Sequence, residues 1–389
     1  MDLITDSGAL AEFCRRQQGA GFITVDTEFM RERTFWPILC LVQIAGPSEA
    51  VAVDTMAPDL DLKPLLKLMN DPATLKVFHA ARQDLEIFFF LSGQVPHPVF
   101  DTQIAAMVCG FGDSVSYETL VKKLAGAGLD KASRFTDWSH RPLTERQLKY
   151  ALADVVHLRT VYERLQQKLA GNGRAAWFEE EMADLVDPGL YRTDPEEAWR
   201  RFRLRGRADR RFLGVLRAVA AWREQAAQQR DLPRGRIMRD EAVLEIATHI
   251  PRTIEQLART RSLSKGVAEG RLGQDILDAV ARGLADPNPP PPAPAKPELP
   301  PGLGPLVELF RVLLKQRCED YGVAQKLVAS ADDLETIAAD DNAPVRALQG
   351  WRRDVFGADA LALKHGALAL TAGNNRIELV PLPDRQAAD

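Results

Sequence analysis

The sequence contains few cysteines and histidines, and none of them forms a recognisable metal or disulfide motif. Its 389 residues include four cysteines, which are far apart in the chain and form no CxxC pair. This usage predicts reduced thiols in a cytoplasmic protein rather than disulfides or a zinc–cysteine site. The six histidines show neither HxxxH nor HExxH spacing, which argues against a histidine zinc site.

Long apolar runs and nucleotide-binding loops are also missing. No run of about 18 apolar residues occurs, so we expect no membrane span. The first residues, MDLITDSGALAEF, carry acidic side chains and lack a long apolar segment, so a secretory signal is not expected. No GxxxxGK[ST] sequence is present, and we therefore expect no nucleotide cofactor.

The charge is small overall but unevenly distributed. The formal net charge is −4, yet residues 191–285 carry 20 basic and 13 acidic side chains. Residues 199–211 alone contain seven arginines. An acidic part next to a basic part is typical of a metal site beside a module that holds nucleic acid.

A proline-rich segment at 286–302 marks the clearest boundary in the chain. Repeated proline favours an extended, semi-rigid spacer, so we expect everything before it to fold separately from everything after it. Turn residues at 187–197 indicate a weaker boundary. We predict a first domain at 1–190, and we predict small helical domains at 207–285 and 303–389 on either side of the linker.

The first domain is predicted to combine a sheet with helices. Apolar runs at 21–29, 38–45 and 50–54 predict strands, and the short connections between them favour an antiparallel meander. A further buried strand is predicted at 75–80, whereas residues 145–169 show sustained helical spacing. Strands followed by alternating helices and strands predict an α/β fold.

Three local patterns of polar residues stand out in this domain. Asp26 and Glu28 end an apolar strand two residues apart, and a period of two places both carboxylates on one face. Asp84 follows a buried strand, and Tyr150 and Asp154 are one helical turn apart. Taken singly, these residues are explained as a cap, a carboxylate at a helix start and a core tyrosine beside a solvated aspartate. Their combination favours a site for a hard divalent ion such as Mg²⁺ or Mn²⁺.

The same stretches carry a family resemblance. VDTEF, HAARQDLEIF and YALADV match the three motifs of the DEDD exonucleases, in the variant with a tyrosine in the third motif. FDTQIAA at 100–106 and DWSHRPL at 137–143 resemble ribonuclease D, and the likeness is close over 1–190. Residues 233–257 resemble an HRDC domain, a small helical nucleic-acid-binding module, and the last part of the chain resembles a second, more divergent copy.

The resemblance implies an RNase H-like fold and a 3′→5′ exoribonuclease that uses two Mg²⁺ or Mn²⁺ ions and releases nucleoside 5′-monophosphates. It implies that Asp26, Glu28 and Asp154 hold one ion. Asp26 would bridge to the second ion, with Asp84 close to it. Tyr150 would orient the attacking water. The implied substrate is RNA with a 3′ end, such as a tRNA precursor, and the expected state is a monomer.

Substrate-binding residues are predicted less specifically than the carboxylates. Phe29 and Met30 follow the first motif and are candidates for contact with the terminal base or sugar, although a core position suits Phe29 equally well. His79 and Gln83 flank the second motif and are candidates for substrate contact, with a structural role favoured for the histidine. Asp101 is expected to cap a helix. Five arginines are candidates for contact with RNA phosphates or for a solvated face: Arg200, Arg201, Arg203, Arg205 and Arg207.

Two other functions remain open at this level. The same carboxylates would serve a 3′→5′ DNA exonuclease, and HRDC domains also accompany DNA helicases. A non-catalytic RNA-binding scaffold is the other alternative. It is disfavoured because clustered buried carboxylates are unfavourable unless a cation neutralises them.

Overall fold

The computed structural model describes residues 2–129, 136–204, 209–286, 288, 300–373 and 376–383. The first part of the chain forms a six-stranded sheet in the order β1-β4-β3-β2-β5-β6. The strands are β1 (Asp2–Ile4), β2 (Phe22–Met30), β3 (Ile38–Ala45), β4 (Ala50–Val53), β5 (Leu75–Phe78) and β6 (Val99–Asp101). The predicted antiparallel meander is present as β2, β3 and β4. The other three strand pairs are parallel.

Helices cover both faces of this sheet. They are α1 (Ser7–Gln17), α2 (Lys63–Met69), α3 (Arg82–Ser92), α4 (Thr102–Val108), α5 (Tyr117–Leu120), α6 (Glu145–Asn172) and α7 (Ala175–Leu185). Helices α1, α2 and α3 share one core with the face of β2 that carries Ile23 and Val25. On the opposite face the hydroxyl of Thr24 donates to the carbonyl of Val155 on α6, at 2.8 Å. The α/β fold expected from the sequence is confirmed.

The middle part is entirely helical where the structure describes it, as predicted. It contains α8 (Arg210–Arg230), α9 (Arg234–Ile237), α10 (Asp240–His249), α11 (Ile254–Leu257), α12 (Lys265–Ala268) and α13 (Arg271–Ala285). Helix α12 ends before Gly270 and α13 begins after it. Glycine is a weak helix former, and its extended backbone at 270 caps the start of α13. The predicted arginines Arg205 and Arg207 lie outside the described residues.

The last part consists of helices and a terminal hairpin. Its elements are α14 (Gly304–Tyr321), α15 (Gln325–Val328), α16 (Ala331–Ala339), α17 (Gly350–Arg352), α18 (Ala358–Lys364), β7 (Leu368–Gly373) and β8 (Arg376–Pro381). The two strands pair in antiparallel fashion. Asn374 and Asn375, and most of the linker at 286–302, lie outside the described residues.

The first and last parts of the chain share one hydrophobic core. Phe310 and Phe356 from the last part belong to the same buried cluster as Phe100 and Phe178 from the first. The indole rings of Trp177 and Trp351 stack with centroids 4.2 Å apart. The expectation that the two sides of the linker fold separately was therefore wrong. A proline-rich linker prevents helix and sheet within itself, but it does not stop apolar helix faces on its two sides from packing together.

Within the part of the chain that the structure describes, no helix combines the length and the apolar character needed to cross a membrane.

Candidate active site

Three carboxylates from two elements meet at the sheet face covered by α6. Asp26 and Glu28 alternate along β2 and therefore point to the same side. Asp154 lies on α6, which packs on that side. One carboxylate oxygen from each of the three lies within 4.8 Å of the others. Strand and helix periodicity thus bring the first and third sequence patterns together.

Asp84 reaches the same region from α3. It lies in the first turn of that helix and is buried. Its carboxylate accepts a hydrogen bond from the hydroxyl of Thr27, the β2 residue between Asp26 and Glu28. Burial, followed by the charge of Asp26, raises the pKa of Asp84 well above its usual range. Thr27 was not singled out from the sequence, and it connects the second pattern to the first.

Without a cation, Asp26, Glu28 and Asp84 favour the protonated form more than free carboxyl groups do. Burial raises the pKa of Asp26 to about 6. Burial and the charges of the three neighbouring aspartates raise the pKa of Glu28 to about 9. A divalent ion would reverse this preference by compensating the negative charge. An all-oxygen donor set suits Mg²⁺ or Mn²⁺ rather than a softer metal, so the residues present fit a hard divalent ion.

A pocket opens directly onto these carboxylates. It has a volume of about 430 Å³, and its walls include Asp26, Asp154, Tyr150, His79 and Tyr117. Tyr150 and Asp154 are one turn apart on α6 and both reach this space. The pocket therefore places two phenols, two carboxylates and an imidazole around one cavity.

Tyr117 anchors α6 at the site. Its hydroxyl donates to the backbone carbonyl of Asp154 at 2.5 Å. The centroid of its ring lies 5.5 Å from the centroid of the His79 ring. Burial raises the pKa of Tyr117 above its usual value, so the phenol remains a donor. Tyr117 was not predicted from the sequence, because no local pattern connects it to Asp154, which is 37 residues later.

The segment DWSHRPL is held against the sheet by one arginine. The guanidinium of Arg141 donates to both carboxylate oxygens of Asp54, at 2.7 and 2.6 Å, and to the carbonyl of Cys40 at 2.8 Å. It also donates to the carbonyl of Trp138 at 2.7 Å. The ring of Trp138 is buried 6.1 Å from that of Tyr150. The ion pair therefore fixes the wall behind the candidate catalytic tyrosine.

The four candidate substrate-binding residues lie in different surroundings. Phe29 is partly buried and packs on the core beneath α3, whereas Met30 packs on the cluster around Trp138. His79 lines the pocket, and its Nδ1 lies 3.0 Å from the hydroxyl of Thr102. Gln83 is exposed on α3 and is absent from the pocket wall.

Asp101 has the capping role predicted for it. Its carboxylate accepts hydrogen bonds from the backbone N–H groups of Gln103 and Ile104 at the start of α4. It also accepts from the N–H groups of Ala80 and Ala81, just before α3. One side chain therefore secures the starts of two helices, and the second of these carries Asp84.

The loop after β2 is fastened to the middle helical part. The backbone N–H groups of Phe35 and Trp36 both donate to the carboxylate of Asp231, each at 3.0 Å. The guanidinium of Arg234 lies 4.4 Å from the centroid of the Phe35 ring. Trp36 stacks on Phe90 of α3 with centroids 4.3 Å apart. The loop thus connects β2, α3 and the middle part.

Comparison with known proteins identifies the parts described above. The 3′-5′ exonuclease family matches residues 1–170, and the HRDC domain family matches residues 212–280. The chain is 50% identical over 390 aligned positions to a ribonuclease D from Granulibacter bethesdensis, covering 97% of this chain and 96% of the relative. It is 52% identical to a ribonuclease D from Nitrobacter hamburgensis, covering 97% and 98%.

The chain belongs to the ribonuclease D family.

A solved structure supports the same assignment. The crystal structure of Escherichia coli RNase D, described as an exoribonuclease involved in structured RNA processing, matches with a TM-score of 0.79 and 28% identity. The match covers 93% of this chain and 98% of that one. The first part is thus a 3′-5′ exonuclease domain, and the middle part is an HRDC domain. Membership of this family, together with the acidic cluster, implies dependence on a divalent metal.

Proposed function

We propose that this ribonuclease D family member is a 3′→5′ exoribonuclease that works with two Mg²⁺ or Mn²⁺ ions. Asp26, Glu28 and Asp154 would hold one ion, and Asp26 with Asp84 would hold the other. The observation that carries the proposal is the set of three carboxylates within 4.8 Å of one another, two of which, Asp26 and Asp154, line a pocket of about 430 Å³. Bound ions would activate a water molecule and stabilise charge on the leaving oxygen.

The reaction is a hydrolysis of the last phosphodiester bond. Water attacks phosphorus, the bond from phosphorus to the 3′ oxygen of the preceding nucleotide breaks, and that oxygen takes a proton. The products are a nucleoside 5′-monophosphate and an RNA shortened by one residue with a new 3′-hydroxyl. Tyr150 would orient the attacking water by hydrogen bonding, because its phenol reaches the same pocket as Asp26 and Asp154.

The pocket also suggests how the terminal nucleotide is held. His79 and Tyr117 lie on the wall beside the carboxylates and offer ring faces for base or sugar contact. Phe29 and Met30 would support this region from the end of β2. Gln83 is exposed outside the pocket, so its proposed contact would be with a nucleotide further from the 3′ end.

The substrate we propose is RNA with a free 3′ end, with tRNA precursors and other structured RNAs as the natural class. Membership of the ribonuclease D family supports RNA as the substrate, and the similar Escherichia coli enzyme is involved in structured RNA processing. The arginine-rich segment before the HRDC domain would contribute phosphate contacts through exposed arginines such as Arg203. We propose a monomer as the working state.

An RNA labelled at its 5′ end tests polarity, step size and metal need together. We expect a ladder of products shortened one nucleotide at a time with Mg²⁺ or Mn²⁺, and none with EDTA. Asp26→Asn and Asp154→Asn should abolish the ladder while RNA binding persists. Asp278→Asn is the matched control, since that exposed carboxylate lies on α13 and accepts a hydrogen bond from Gln274.

The same assay decides between the alternatives. Faster loss of a DNA strand of matched sequence would favour a DNA exonuclease. Wild-type protein that binds the RNA but leaves it intact with either metal would favour a non-catalytic scaffold.

A further inference from the structure

Gln43 is a fully buried side chain with no hydrogen-bond partner among the described residues. It lies in the middle of β3 with an exposed fraction of 0%, and nothing in the described part of the chain hydrogen-bonds to its Nε2 or Oε1. An amide offers two N–H donors and a carbonyl acceptor, and burying them unpaired is unfavourable. Leu41 and Ala45, on the same side of β3, are buried and apolar, so an apolar residue would suit the core better at this position.

The position of Gln43 places it beside the carboxylate cluster. In the ladder between β2 and β3, Gln43 is directly opposite Asp26. Directly paired residues point to the same face, with Cβ atoms about 4.5–5.5 Å apart. This is the face on which Thr24 hydrogen-bonds to Val155 of α6, next to Asp154. The amide therefore lies in the layer between sheet and helix where the three carboxylates meet.

Asp26 has unused acceptor capacity that matches the unused donors of Gln43. Its carboxylate accepts a hydrogen bond from the backbone N–H of Thr27, and among the described residues no side chain lowers its pKa by donating to it. A carboxylate that holds an ion through one oxygen keeps lone pairs free on the other. Donors behind the ligands commonly fix ligand orientation in metal sites.

We propose that Gln43 is a positioning residue that donates its amide N–H to the carboxylate of Asp26 and holds it in the orientation that binds the divalent ions. The inference rests on the proposed function, because it assumes ions at Asp26, Glu28 and Asp154. It gives the buried amide a partner in the ionised, ion-bound site. It also explains why a polar residue occupies this place in an otherwise apolar strand.

The test is Gln43→Met, which keeps the length of the side chain and removes its donors. Mn²⁺ affinity is measured by calorimetry, and the thermal unfolding midpoint is measured in EDTA. We expect Mn²⁺ binding about 10- to 100-fold weaker than in wild type, with the midpoint in EDTA unchanged or raised. The matched control is Gln17→Met on α1, another buried glutamine with an unpartnered Oε1, which should leave Mn²⁺ affinity unchanged.

The outcomes separate this inference from the proposed function. Wild-type Mn²⁺ affinity in Gln43→Met would overturn the role of Gln43 alone. A lowered midpoint in EDTA would also overturn it, because the amide would then stabilise the fold rather than the ligand. Wild-type protein that binds no Mn²⁺ would overturn the proposed metal site and this inference together.

Discussion

Gly110 of the exonuclease domain lies directly against the backbone of Gly322 in the last part of the chain. A Cβ built on Gly110 would be 2.6 Å from the carbonyl oxygen of Gly322, and the φ of Gly110 is +79°. Next to this contact, the N–H of Ala324 donates to the carbonyl of Met107 at 2.9 Å. Docking of the last part therefore depends on the absence of a Cβ atom at position 110.

Gly110→Ala should loosen this interface. Alanine at positive φ costs about 1–2 kcal/mol, and the collision should add about 1–3 kcal/mol. The matched control is Gly19→Ala, where φ is +76° but nothing lies within 4 Å of the added Cβ. Thermal unfolding should show a clearly larger drop in midpoint for Gly110→Ala. Equal drops would mean that strain alone, and not the contact, determines the effect.

Asp231→Ala should release the loop that follows β2. Two backbone N–H groups lose their acceptor, so the amide protons of Phe35 and Trp36 should exchange faster with deuterium. The turnover number on RNA should also fall, because this loop continues β2 beyond Glu28. Unchanged exchange at Phe35 and Trp36 would show that the HRDC domain does not restrain the loop.

Arg141→Lys should weaken the attachment to the sheet of the DWSHRPL segment, which packs next to Tyr150 through Trp138. Lysine cannot reproduce the bidentate hydrogen bonding to Asp54 together with the hydrogen bonds to the backbone carbonyls. We therefore expect a loss of about 1–3 kcal/mol in the free energy of unfolding. Arg16→Lys is the control, because Arg16 pairs with Glu49 at the surface and such pairs contribute about 1 kcal/mol or less. A similar loss in both variants, by urea unfolding, would contradict the prediction.

The stability of the metal-free protein should fall as pH rises from about 4 to about 9. The pKa values of Asp26 and Glu28 are raised to about 6 and about 9, above unfolded values of about 4. The folded state therefore holds more protons than the unfolded chain in this window, and deprotonation destabilises it. Bound Mg²⁺ displaces these protons. The increase in the thermal unfolding midpoint on adding Mg²⁺ should therefore become larger as pH rises.

Thermal unfolding in EDTA and in excess Mg²⁺ across this pH range checks the prediction. Glu28→Gln removes the carboxyl group whose pKa is raised to about 9, so its midpoint in EDTA should depend less on pH than that of wild type. An identical slope in the variant would show that other groups cause the dependence.

The sequence was informative where the chemistry depends on local spacing. Period two along β2 places Asp26 and Glu28 on one side, and one helical turn separates Tyr150 from Asp154. Both rules act over a few residues, so a single sequence is enough to apply them. The capping role of Asp101 was predictable for the same reason.

Contacts between distant segments were not predictable in this way. The hydrogen bond from Thr27 to Asp84 joins residues far apart in the chain, and so does the one from Tyr117 to Asp154. The amphipathic face of α14 indicates that Phe310 is buried, but it does not indicate which surface covers it. The shared core of the first and last parts therefore became visible only in the folded chain.

That shared core has a consequence for biosynthesis. The ribosome completes α7 about 120 residues before it begins α14. At roughly 5–20 residues per second, this separation corresponds to a delay on the order of 10 s. During that interval the apolar surface of α4, α6 and α7 lacks its final covering. A ribosome-bound nascent chain whose synthesis is stopped between α7 and α14 should bind chaperones that recognise exposed apolar surface. A chain that includes the last helices should no longer bind them.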